Sequence, residues 1–315
     1  MLIACAILGV LLSAAFSVFT SSLQTKRSED LKLGLQQNLR AAMQVISQDL
    51  RSAGVMRLHH QSTCTSNTPC SNNTQVAVLA LDGTSTAIAT TPGTAISNAT
   101  QTFVCDAGQF AVGNVAVRYN GTQIGNNPSS NAINFGFNQA RILQITGITQ
   151  RPAPKAACAA GSSQDTLSHT NESISDTIAT DGQSYVFKAD LHTYILGIDP
   201  NNSSRTSLYR LSGLSNPSSA LVAYDVNELK IHYGIRSNPT ASTASRVIFY
   251  NTLEDAVNTL GSSTYSAVPG TAGRTFIGGI VSAIRIKLTA QSASNLPNTN
   301  TPATFSLTET VDLRN

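Results

Sequence analysis

The sequence predicts an α+β protein: a long N-terminal helix followed by an antiparallel β-sheet domain with long loops. Three observations predict this. An apolar run from Met1 to Phe19 passes without a break into an amphipathic stretch that reaches Gly54. From about residue 75 the hydrophobic pattern changes from a helical period to a period of two. The short apolar segments of that second part are separated by Gly, Asn, Ser and Pro, the residues of turns. On these grounds the chain divides into an apolar helix (1–22), its amphipathic continuation (23–54) and a β-rich head (55–315).

No charged residue precedes Lys26, and no proline precedes Pro69, so nothing breaks the helix. Its first half carries Leu2, Ile3, Ile7, Leu8, Leu11, Leu12, Phe16 and Phe19. In the second half Leu31, Leu35, Leu39, Met43, Ile46 and Leu50 recur at spacings of three and four, which makes one face of a helix. Leu35, Leu39, Met43, Ile46 and Leu50 are expected to pack on the sheet. Gly54 is the expected C-terminal cap. At about 1.5 Å per residue the whole rod would be roughly 80 Å long. A globular head covers only its second half, so the first half must lie in a membrane or in a bundle of like helices.

Three readings of the apolar half compete. A cleaved signal peptide would end in an Ala-x-Ala site or a break, and neither follows. A plain transmembrane anchor fits the length, since about 20 residues span a bilayer, but an anchor ordinarily ends in a linker. A helix that is first a membrane anchor and later the core of a filament accounts for both the apolar run and its amphipathic continuation. The charges are reversed from what insertion requires. Basic residues should precede a segment whose N-terminus stays in the cytoplasm, whereas Lys26 and Arg27 follow it. We therefore expect the true N-terminus to lie upstream, with Met1 internal.

Composition limits the partners. Of the 315 residues 41% are hydrophobic, enough for a core, but only 12% are charged, about half the usual share. The net charge of +3, from 20 basic and 17 acidic residues, is too balanced for a nucleic-acid surface. A neutral surface rich in hydroxyl groups suits work outside the cytoplasm. Of the five cysteines, Cys5 lies in the apolar helix, and Cys64, Cys70, Cys105 and Cys158 follow it. An even number beyond the membrane points to two disulfides. Three pairings are open; Cys64–Cys70 with Cys105–Cys158 is the favoured one. A zinc site using Cys64, Cys70, His59 and His60 matches no known ligand spacing.

After a loop at 59–74, the expected strands are Gln75–Leu81, Thr102–Cys105, Val112–Tyr119, Arg141–Thr149, Ser184–Ala189, Thr193–Ile198 and Ser207–Leu211. They continue with Leu221–Ala223, Leu229–Tyr233, Arg246–Tyr250, Ile280–Thr289 and Phe305–Leu313. In the clearest of them, Ile280, Ser282, Ile284, Ile286 and Leu288 share one face, and Arg285 and Lys287 the other. One short later helix is expected at Thr252–Leu260. The stretches 82–100, 120–140, 159–183 and 261–279 read as loops.

Catalytic motifs are missing. The chain has no G-x-S-x-G, no phosphate-binding loop and no G-x-G-x-x-G. His59, His60, His169 and His192 have no fixed acidic neighbour in sequence, and His232 reads as a strand-face residue. Asp199-Pro-Asn-Asn-Ser203 lacks the glycine and glutamate of a calcium loop and reads as a turn between strands. We expect no enzyme activity, cofactor or metal.

The segment MLIACAILGVLLSAAFSVF, continued by LQQNLRAAMQVISQDLRSAG, resembles the helix of type IV pilin-like proteins. The sequence Asp49-Leu-Arg-Ser-Ala-Gly54 is similar to the helix end of PilW-type minor pilins. Ser207-Leu-Tyr-Arg210 followed by Leu221–Gly234, and the closing Leu313-Arg-Asn315, are also similar to that group. The resemblance covers both ends and the middle; residues 59–180 match no pattern of it. The chain departs from the group at its start: the prepilin cleavage motif is missing, and the helix-head glutamate would fall just before Met1. The resemblance implies a single-pass protein of the bacterial inner membrane with a periplasmic head. It implies later transfer to the pilus tip, where such proteins help prime assembly. Implied partners are other minor pilins, the major pilin, the inner-membrane assembly platform and a tip adhesin, with no nucleic acid. A minor pseudopilin of type II secretion shares the helix and sheet and is the alternative. An anchored adhesin using loops 82–183 is another.

Overall fold

The computed structural model describes residues 2–53, 59–61, 74–81, 100–104, 106–120, 140–150, 165–169, 184–199, 202–214, 217–236, 246–252, 255, 274–276, 281–297 and 301–313. It is α+β: one long N-terminal helix and antiparallel sheets. Helix α1 runs Leu2–Ser52 as 51 uninterrupted residues.

The strands, in order, are β1 (His59–Gln61), β2 (Val76–Leu81), β3 (Gln101–Val104), β4 (Val115–Asn120), β5 (Ala140–Thr149), β6 (Asp165–His169) and β7 (Ser184–Asp199). They continue as β8 (Asn202–Ser212), β9 (Ser218–Ala223), β10 (Val226–Arg236), β11 (Val247–Tyr250), β12 (Arg274–Phe276), β13 (Val281–Asn295) and β14 (Pro302–Asp312). A four-stranded sheet has the order β11-β10-β13-β14, and a second has the order β3-β6-β5-β4-β7-β8-β9 with β2 also on β7. β1 and β12 form a separate pair.

The main core forms where α1 meets both larger sheets. Leu39, Met43, Ile46 and Leu50 pack with Val76, Val78, Tyr194, Leu208, Ile231, Tyr233, Ile284, Ile286, Leu288 and Val311. Two smaller clusters lie away from the helix, one around Leu79, Val117 and Ile142, the other around Phe110, Ile145 and Leu167. Gly234 allows one close approach: a Cβ there would come within 3.0 Å of Val247, Phe249 and the Ala283 carbonyl. Phe249, seated over that bare backbone, carries the Arg285 guanidinium 3.9 Å above its ring. Asp225 takes a left-handed conformation (φ 58°) in the β9–β10 turn, which its short polar side chain tolerates.

Several expected elements need correction. Ser184–Ala189 and Thr193–Ile198 are one strand, β7: Ala189 pairs with both β2 and β4, and residues 190–192 continue the ladder with β2. β1, β6 and β12 lie in stretches read as loops. Val112 is not in a strand; residues 111–114 turn, with the Asn114 N–H bonded to the Ala111 carbonyl at 3.1 Å. β8 begins at Asn202 and β13 ends at Asn295, because both ladders continue through polar residues. The N-terminal part of β13 is buried on both faces, Val281 and Ala283 included. Of the expected helix Thr252–Leu260, only residues 252 and 255 are described. The Thr252 hydroxyl accepts the Asp255 N–H at 3.0 Å, as an N-cap would. Gly54, Cys64, Cys70, Cys105 and Cys158 lie outside the described residues, as do residues 82–99, 121–139 and 170–183, which fall in stretches expected to be loops.

Candidate functional site

The candidate site is α1 itself, because its two halves differ in surroundings. Ile3, Ile7, Leu8, Leu11, Leu12, Phe16 and Phe19 are exposed, Ile3 at 78% and Phe16 at 71%. Leu2 begins the helix, and its side chain lies outside the description. Leu35 (7%), Leu39 and Ile46 (both 0%) are buried, with Met43 and Leu50 beside them in the main core. The change falls between Leu33 and Leu35. Every residue described from Ile3 to Phe19 is exposed. The helix is long and apolar enough to cross a membrane, and none of its most apolar stretch is buried. Exposing so many large apolar side chains to water is costly, at about 1.5–3 kcal/mol for each that could otherwise be buried. The surface is therefore built to be covered.

Polar contacts hold the second half to the head. The Asp49 carboxylate is the central one. It accepts the Tyr194 hydroxyl at 2.5 Å and pairs with the Arg210 guanidinium at 2.9 Å. Burial, and then the hydrogen bond to Asp49 and its charge, push the Tyr194 phenol well above its ordinary range, so it stays a donor. His192, 3.1 Å from the Ser212 hydroxyl, has its pKa lowered by burial and by Arg210. The Asn38 amide donates to the Tyr224 carbonyl at 2.8 Å. The Ser47 hydroxyl donates to Glu309 at 2.9 Å, and Arg51 reaches the same oxygen at 3.4 Å. The helix is thus tied to β7, β8, the β9–β10 turn and β14. Sequence reading missed this set because its partners lie far apart in the chain, Asp49 and Tyr194 by 145 positions.

Other polar clusters are local. Glu228 is shared by Lys230 (2.5 Å), Lys287 (2.8 Å) and the Thr289 hydroxyl (2.8 Å). Those bonds, Lys230 first, lower its pKa to about 2. Arg205 bonds Asp225 at 3.0 Å and the Ala293 carbonyl, on the wall of an open polar hollow of about 300 Å³. His169 is buried on Thr102 at 3.0 Å, and His232 lies half-buried in β10. The side chains of His59 and His60 lie outside the description. Among the described residues no group of three or more His, Cys, Asp or Glu is placed to hold a metal ion.

No protein-family model matches the chain, and no curated protein or solved structure is significantly similar to it.

Proposed function

We propose that this protein is a pilin-like subunit of the PilW type that helps prime type IV pilus assembly from the bacterial inner membrane. The observation that carries the reading is one unbroken helix with an exposed apolar half and a half buried in a β head. Lipid and a core of like helices are both apolar, so the stretch Leu2–Phe19 can exchange one for the other at little cost. In this reading the head stays in the periplasm until assembly and then sits at the pilus tip. There the head meets no neighbour above. The partners are other minor pilins, the major pilin and the assembly platform.

The test is to delete the gene, count surface pili by electron microscopy and quantify the protein in sheared filaments. Sparse pili with the major pilin retained in the membrane, and trace amounts in filaments, are expected. Normal piliation with impaired protein secretion would instead identify a type II secretion pseudopilin.

A further inference from the structure

The sheets end in edge strands that are not alike. Among the described residues, the strands with a single partner other than β14 are three to six residues long. β14 is 11 residues long and, among the described residues, pairs with β13 alone. In an antiparallel pair, every second residue of an edge strand turns its N–H and C=O away from its neighbour. β14 therefore presents a long row of unpaired donors and acceptors. Natural edges are usually blunted by brevity, lysine, proline or a bulge. From Thr304 to Thr310 β14 has no lysine or proline and one charge, Glu309, and its register with β13 is regular over that stretch.

A groove of about 690 Å³ lies between this strand and the helix and is bridged by the Ser47–Glu309 hydrogen bond. Arg40, Gln44, Gln48 and Arg51 line its helix side, Leu307 and Glu309 its strand side. The cations are poorly matched inside the molecule. Arg40 is exposed and has no anionic partner among the described residues. Arg51, its side chain 62% exposed, makes only the 3.4 Å contact to Glu309 among the described residues. Arg40 and Arg51 stand about 16 Å apart along the helix, about 3 Å more than the roughly 13 Å between strand positions i and i+4, a difference that two long arginine side chains can take up.

We propose that the β14 edge and this groove bind an extended acidic segment of a partner protein as an added strand. Its backbone would pair with β14, and carboxylates at positions i and i+4, which share one face of a strand, would meet Arg40 and Arg51. This surface belongs to the half of the helix held by the head. It does not depend on where the apolar half resides.

The test uses the full chain in detergent micelles and a panel of labelled ten-residue Thr/Val peptides. One set carries Glu at i and i+4, and a matched set carries Lys there. Saturable binding of Glu peptides alone is expected by fluorescence anisotropy, together with slowed amide exchange in residues 304–310. Arg40→Glu should weaken binding at least tenfold without changing the unfolding midpoint, since Arg40 makes no contact that holds the helix to the head among the described residues. Arg40→Gln, a milder change, should weaken it several-fold. Failure of every Glu peptide to bind, equal binding of Lys peptides, or binding with unchanged exchange in β14 would overturn the proposal.

Discussion

The two halves of α1 share one backbone geometry and have opposite relations to the protein. From Ile3 to Phe19 every side chain described is exposed; from Leu35 to Leu50 an apolar stripe is wholly buried. The first half is apolar on all sides, with no charge before Lys26, while the second puts Arg40, Gln44 and Gln48 between its apolar positions. A one-sided stripe suits packing on a sheet, where the other side meets water. An all-round apolar surface suits surroundings that are apolar on every side. Helix type is thus common to both halves, and the distribution of polar residues decides what each can pack against.

The sharpest way to break this comparison is to place one charge in each half. Ile46→Asp, or Leu39→Asp, would bury an unpaired carboxylate and should cost about 4 kcal/mol or more, read as a lowered midpoint in chemical denaturation. Leu11→Asp in the same assay should leave the head's midpoint unchanged. Wild-type stability of the Ile46 variant would show that this face is not the packed one.

In the membrane the order reverses. Leu11→Arg should cost about 2.5–3.5 kcal/mol on insertion scales and move the protein out of the membrane fraction, with the head still folded. Unaltered partitioning would mean that the apolar half is not inserted.

Removing the polar tie is a smaller perturbation. Asp49→Ala leaves Tyr194 and Arg210 without their shared carboxylate and should cost about 2 kcal/mol. Asp49→Asn, which keeps an acceptor for Tyr194, should cost less. Equal losses in the two variants would mean that the ion pair adds nothing.

The weakest effect is expected from pH, and only in the head. Glu228 titrates near 2 in the folded protein against an ordinary 4.5. A depressed carboxylate stabilises the fold above its unfolded pKa, so this contribution is present above about pH 4.5. It should fade as the pH drops toward 2. Glu228 is partly exposed, so salt should reduce the effect. Glu228→Gln should flatten that part of the stability–pH curve. An unchanged slope would mean that Lys230 and Lys287 do not hold the carboxylate in solution.

The helix and most of the sheet were legible because their patterns are apolar and local. The spacing of Leu35, Leu39, Met43, Ile46 and Leu50 can be read directly, and these are the residues the head covers. β6 was illegible for the opposite reason. Its sequence, Asp-Thr-Leu-Ser-His, buries Asp165 and His169 through bonds to the Ala107 N–H and the Thr102 hydroxyl. A search for alternating apolar residues passes over such a strand. β7 reads as two strands because Asp190 and His192 interrupt its apolar run. The Asp49 tie left no local trace, since an aspartate on a helix flank ordinarily faces water. The long edge of β14 was visible as a segment, but that its far side stays unpaired depends on strand order, which periodicity does not encode.

The place where α1 leaves the head makes the exposed half a lever. The helix is held from Leu35 to Leu50, and the arm from there back to Leu2 is about 50 Å long. One degree of tilt of the held segment would sweep the far tip sideways by about 1 Å, on that length. Side-chain interdigitation between helices tolerates errors of that size and little more. The angular accuracy of the exposed half is therefore set within the head, by the apolar stripe and by the ties of Asn38, Ser47 and Asp49.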